Sequence, residues 1–153
     1  MISFRFPLQK VLDWRQTQLE MEEAKFKRQA AALAELDRAR AELEAAGIKS
    51  EVQVRGWSPL VGRDLAALGS YRLHVKMKKK EIAARRAECQ EKLAAQQSAM
   101  LEARRRLRLL ERLKDRRFQE WQSASGRELE ALAAESHLGQ WKRRQAQPGA
   151  SPL

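Results

Sequence analysis

Seven Arg and one Lys fall between positions 104 and 117, in the run Arg104-Arg105-Arg106-Leu107-Arg108-Leu109-Leu110-Glu111-Arg112-Leu113-Lys114-Asp115-Arg116-Arg117. Guanidinium groups grip carboxylates and phosphates alike through a bidentate fork. The run therefore reads in three ways: a solvated helix face, a protein-docking end or a phosphate contact. Leu107, Leu110 and Trp121 hold one helical line through it, so the segment is basic and amphipathic at once. A second basic stretch, residues 71–86, carries seven Lys and Arg against the single acid Glu81. It reads either as a solvated face or as a contact surface, and Trp57, placed between Gly56 and Pro59, reads as tucked against a helix or as a partner contact.

Other reactive side chains point away from catalysis. The chain has one cysteine and two histidines, so no cysteine zinc site or disulfide framework can be built within it. His74 and His137 are not in a metal-ligand spacing. Cys89 falls at a position suited to a small apolar side chain, with Arg85, Arg86, Glu88 and Lys92 near it instead of a base. No Gly-x-x-x-x-Gly-Lys-Ser/Thr phosphate loop is present. The expectation is a protein that is not an enzyme, with no cofactor, no metal and no small-molecule ligand.

The elements that must position the basic runs follow from where Gly and Pro are absent. Neither occurs in residues 8–46 or 70–125, and these two residues disfavour a helix interior by about 1 and 3 kcal/mol relative to Ala. In the first segment Leu12, Leu19, Phe26 and Leu33 recur every seven residues beside a companion column of Leu8, Leu36 and Leu43, interrupted by Arg15, Glu22 and Gln29. This 4-3 alternation is a heptad seam. In the second, one column reads Val61, Leu68, Val75, Ile82, Cys89, Gln96, Ala103 and Leu110. Its neighbour reads Leu65, Arg72, Lys79, Arg86, Leu93, Met100, Leu107, Lys114 and Trp121.

The expected fold is all-α, an antiparallel two-helix coiled-coil hairpin with a longer second helix. Residues 1–7 form a lead-in, 8–46 the first helix, 47–59 the connection, 60–125 the second helix, 126–144 a weakly helical segment and 145–153 a disordered tail. Pro7 fits the first helical position and Gly47 the stop. The second helix starts at Ser58-Pro59 or at Asp64 after Gly62. Folding back at 47–59 places Glu22 near Arg86. It leaves residues 101–125 overhanging, with Leu107, Leu110 and Trp121 lacking an internal partner.

Ala, Leu, Glu, Lys and Arg make up 91 of the 153 residues, well above the half that marks long helices and coiled coils. The net charge of +11 is uneven: residues 1–50 carry 9 basic against 8 acidic side chains, the remainder 22 against 12. Such a stripe suits nucleic acid, anionic lipid or an acidic protein face. With no apolar run of leader or membrane-spanning length, the expected location is cytoplasmic.

The opening Phe4-x-Phe6-x-Leu8-x-x-Val11-Leu12-x-x-Arg15, the Gly-bearing connection leading into Tyr71-Arg72-x-x-Val75, and the later Leu110-Glu111-Arg112-Leu113-Lys114-Asp115-Arg116-Arg117 together resemble the flagellar export protein FliJ family over residues 4–121. The resemblance implies a stalk at the cytoplasmic base of a type III secretion apparatus, peripheral to the inner membrane. Such a stalk binds and regulates the hexameric export ATPase, contacts the export gate membrane protein and escorts substrate-specific export chaperones.

Carried over by position, the resemblance implies that Leu8, Leu12, Arg15, Leu19, Arg104, Arg105, Leu107, Arg108, Leu110 and Trp121 dock on the ATPase. It likewise implies that Tyr71, His74, Val75, Lys78 and Ile82 meet the gate. His74, Lys78 and Glu81 depart from an apolar pattern there. Two alternatives stand beside this reading: the equivalent stalk of a virulence injectisome, and a basic coiled coil that binds nucleic acid. The second is disfavoured because only Phe118 and Trp121 accompany the Arg run, whereas single-strand binders stack bases on interleaved aromatics.

Overall fold

The computed structural model describes residues 3–59 and 61–146. The chain is all-α, with two helices, α1 (Gln9–Arg55) and the longer α2 (Gly62–Ala146). It divides into two compact units. A hairpin unit spans Arg15–Arg105, and a terminal unit joins Met1–Trp14 with Arg106–Leu153.

In the hairpin unit α1 and α2 run antiparallel and meet along the heptad seam. Leu19, Phe26, Leu33, Leu36 and Leu43 are partly buried on α1, as are Leu68, Val75, Ile82, Leu93 and Met100 on α2, while Cys89 is buried. The polar seam residues find one another. Gln96 donates from Nε2 to the carboxylate of Glu22 and, at 3.3 Å, to its backbone carbonyl. The Cys89 thiol donates to the Gln29 carbonyl at 3.6 Å. Glu22 thus faces Gln96, not Arg86 as the fold-back at 47–59 predicts; Arg86 pairs instead with Asp37, Nε to Oδ1 at 2.7 Å.

The reason for the shift is that α1 does not stop at Gly47. It continues to Arg55, where the Gly56 amide donates to the carbonyls of Val52 and Gln53 and the Trp57 amide to that of Val54. These short-range bonds tighten the last turn and satisfy carbonyls a helix end leaves open. The connection is therefore residues 56–61, shorter than the predicted 47–59, and Trp57 on it is half exposed. Gly47 sits inside α1, partly buried, where an added Cβ would lie 3.9 Å from Val75 Cγ1. That is ordinary contact, so Gly47→Ala should remove a helix penalty of about 1 kcal/mol. Raised thermal stability, by roughly 2–4 °C for a chain of this size, is the expected outcome of a melting experiment; a lowered midpoint would restore Gly47 as a helix stop.

α2 opens on a backbone turn and one side-chain cap. The Asp64 amide donates to the Val61 carbonyl at 3.0 Å, and the Val61 amide reaches the Asp64 carboxylate at 3.4 Å. A carboxylate in the first turn also suits the positive end of the helix dipole. This resolves the start in favour of Asp64 over Ser58-Pro59. Near the tip the buried stripe of α2 also departs from the heptad columns. Tyr71 is partly buried while Leu65 and Arg72 are exposed.

In the terminal unit, residues 3–6 are non-helical and Pro7-Leu8 make a turn closed by the Gln9 amide on the Phe6 carbonyl at 3.1 Å. Pro7 thus takes the second position of a turn, where its fixed φ is favourable, one step ahead of the helix. Phe6, Leu12 and Leu107 are buried here. α2 runs without a break to Ala146, so the predicted boundary at 125 and the separate weak segment 126–144 are both replaced by continuous helix. Of the predicted tail, Gln145 and Ala146 are helical and 147–153 lie outside the described residues.

Candidate functional site

Phe4, on the non-helical lead-in, packs on α2 in the terminal unit. Its ring meets Phe118 edge-on, with centroids 5.3 Å apart and planes at 79°, and lies 5.9 Å from Trp121. Phe118 and Trp121, three residues apart on one helix face, stack at 5.8 Å and 29°. Edge-to-face and offset-stacked geometries suit the ring quadrupoles, and each pair contributes about 0.5–1.5 kcal/mol beyond area burial. The expectation that Leu107, Leu110 and Trp121 lack an internal partner is therefore corrected: Leu107 is buried, Leu110 is partly buried, and Phe4 seats on Trp121. Phe118 stays 43% exposed, so the cluster is a platform with an open side.

Beside it lies a groove of about 820 Å³, lined among others by Phe4, Arg5, Pro7, Arg117, Glu120 and Trp121. A smaller cavity of about 360 Å³ is bounded by Phe4, Arg5, Phe6, Gln9 and Lys114. Arg117 donates to Glu120 at 3.3 Å and Arg116 also reaches that carboxylate, at 3.4 Å. The groove thus presents aromatic side chains edged by two cations, Arg5 of the lead-in and Arg117 of α2, and by two carboxylates, Glu120 and Glu128. Arg108 and Arg112 are four residues apart on another face of α2, beside Leu109, which is 57% exposed. Neither makes an ion pair among the described residues.

The residues expected to dock on an ATPase divide between the two units. The terminal unit holds Leu8, Leu12, Leu107, Arg108, Leu110 and Trp121; of these Leu12 and Leu107 are buried and cannot present a surface. The hairpin unit holds Arg15, Leu19, Arg104 and Arg105. Leu19 is partly buried, Arg104 reaches Glu23 at 3.4 Å, and Arg105 is exposed. Phe4 and Phe118 were not singled out as site residues from sequence. The signal available was the i, i+3 spacing of Phe118 and Trp121 together with an aromatic four residues from the chain start.

At the tip, a cavity of about 310 Å³ in the hairpin unit is lined by Gly47, Ile48, Tyr71, Arg72, Val75 and Lys79 among others. Of the residues expected at the gate contact, Tyr71 and Val75 line it. Ile82 is partly buried, whereas His74 and Lys78 are exposed, Lys78 reaching Glu81 at 3.2 Å. That hydrogen bond and the Lys78 charge, with Arg85 beyond, hold the Glu81 carboxyl below its ordinary range. The charged column of α2 is satisfied across the hairpin: Arg72 pairs with Glu51 at 2.8 Å, Lys79 with Glu44 at 3.5 Å and Arg86 with Asp37. Hydrogen bonding from Arg40, with the Lys79 charge beside it, keeps the Glu44 carboxyl low in the same way.

Among the described residues no group of three or more His, Cys, Asp and Glu could hold a metal ion, and no helix is long and apolar enough to cross a membrane. Comparison with protein-family models, curated proteins and solved structures finds no match.

Proposed function

We propose that this chain is a non-enzymatic stalk of the flagellar type III export apparatus, cytoplasmic and docked at the inner-membrane face. In this reading it binds and regulates the export ATPase ring, couples it to the gate and escorts export chaperones. The observation that carries the reading is the seating of Phe4 on Phe118 and Trp121. It places the opening Phe-x-Phe motif just past the end of the Arg run, where Lys114 and Arg117 of the later resembling stretch line the same groove and cavity as Phe4 and Arg5. An aromatic platform with an open groove, edged by Arg5 and Arg117, has the make-up of a binding hot spot, where Trp and Arg are enriched. The exposed Arg108 and Arg112 supply charge for steering toward an acidic ring.

The reading is tested by phosphate release from the flagellar export ATPase with and without the full chain. The ATPase should run faster as the chain is added and then saturate, while the chain alone releases none. An unchanged rate across concentrations that saturate binding would overturn the coupling role.

A further inference from the structure

Beyond Gly126, α2 continues for about five turns with every residue from 127 to 138 exposed, and Leu138 and Trp141 are 56% and 50% exposed. Helices in water owe most of their stability to packing of an apolar face. This stretch also contains Gly139, which costs about 1 kcal/mol relative to Ala. Ala131, Ala134, Leu138 and Trp141 repeat at 3-4-3 spacing and form a seam of their own. Glu128 and Lys142 flank it on one side, Glu130 and Arg144 on the other. None of these four charges makes an ion pair among the described residues.

The order of sizes and charges along this seam is self-complementary, and only in one direction. Turned antiparallel about position 136, a second copy places Trp141 over Ala131 and Leu138 over Ala134, large against small in every layer. The same alignment sets Glu128 against Lys142 and Glu130 against Arg144, four attractive pairs in all by symmetry, against a single like-charge contact of Glu135 with its own copy beside the axis. A parallel pairing would instead set Glu130 against Glu135 twice by symmetry, with Ala on Ala and Trp on Trp in the layers, and none of the four attractive pairs. We propose that residues 128–144 form an antiparallel self-association surface whose occupant is the same segment of a second copy of this chain. A two-fold axis near position 136 then makes the contact isologous and closed, so association stops at the dimer. This inference does not rest on the export role.

Sedimentation velocity of the full chain tests it. Wild type should show a monomer–dimer equilibrium at concentrations up to ~100 μM, in the range of weak specific association. Leu138→Ala with Trp141→Ala should weaken the dimer tenfold or more, on the order expected for an aromatic anchor. Glu128→Lys with Glu130→Lys should abolish it by turning all four attractive pairs into like-charge pairs, and so should Lys142→Glu with Arg144→Glu. Mixing those two charge variants should restore a dimer, which loss of helix cannot do. A wild type that stays monomeric to ~100 μM, a dimer that survives either charge variant, or a mixture that stays monomeric would each overturn the assignment.

Discussion

In the proposed stalk role, replacing Trp121 by Ala should weaken binding of the export ATPase by more than tenfold, the largest single-residue effect expected of this chain. Truncating a central aromatic at an interface commonly costs about 2 kcal/mol or more, and Trp121 is both the floor of the terminal groove and the support for Phe4. Phe4→Ala should reproduce part of the loss, because it removes the ring that roofs Trp121 while leaving the Arg run untouched. Trp121→Phe, which keeps an aromatic stacked on Phe118, should retain most of the binding. Calorimetric titration on variants of equal helicity is the measurement. Wild-type affinity in both Ala variants would remove the platform from the interface.

A second large effect is expected from charge. Exchanging Arg108 and Arg112 for Glu should slow association and reverse its salt dependence, so that added salt, which slows wild type, speeds the variant. Charge at the rim of a contact acts mainly on the encounter rate, and these two side chains have no ion-pair partner among the described residues to compensate for them. Stopped-flow association at two ionic strengths reads the sign directly. If the exchange leaves ATPase binding unmoved and instead abolishes binding of RNA or DNA at fixed salt, a nucleic-acid role takes the place of the stalk.

What was legible in the sequence was set by periodicity. Leu19, Phe26 and Leu33 on α1, with Val75, Ile82 and Cys89 on α2, occupy the seam their heptad spacing predicts. The error lay in treating Gly47 as punctuation. Its helical penalty is about 1 kcal/mol, which contacts across the hairpin readily offset, whereas Asp64 and the short bonds around Gly56 set the actual ends. That difference of nine residues at the end of α1 moved the pairing register, so Arg86 finds Asp37 and Glu22 finds Gln96.

The site was legible in part for the same reason. Leu107 and Leu110 lie on the predicted apolar line, yet burial takes Leu107 out of reach of a partner. The covering of Trp121 by Phe4 could not be read from spacing, because the lead-in is non-helical and carries no period.

Three of the ion pairs across the hairpin, Arg72 with Glu51, Lys79 with Glu44 and Arg86 with Asp37, form a ladder near the tip; they are partly exposed, and each contributes about 0–1 kcal/mol. Their sign matters more than their strength. Every cation of the ladder belongs to α2 and every anion to α1, one rung per heptad, so neither strand of the ladder can be copied onto itself. An α1 laid along another α1 would bring anion to anion, and two copies of α2 would bring cation to cation. The hairpin thus sorts its helices by kind, refusing like for like over residues 37–86, whereas the charges of residues 128–144 are balanced and, in the antiparallel pairing proposed for them, attract at four places and oppose at one, Glu135.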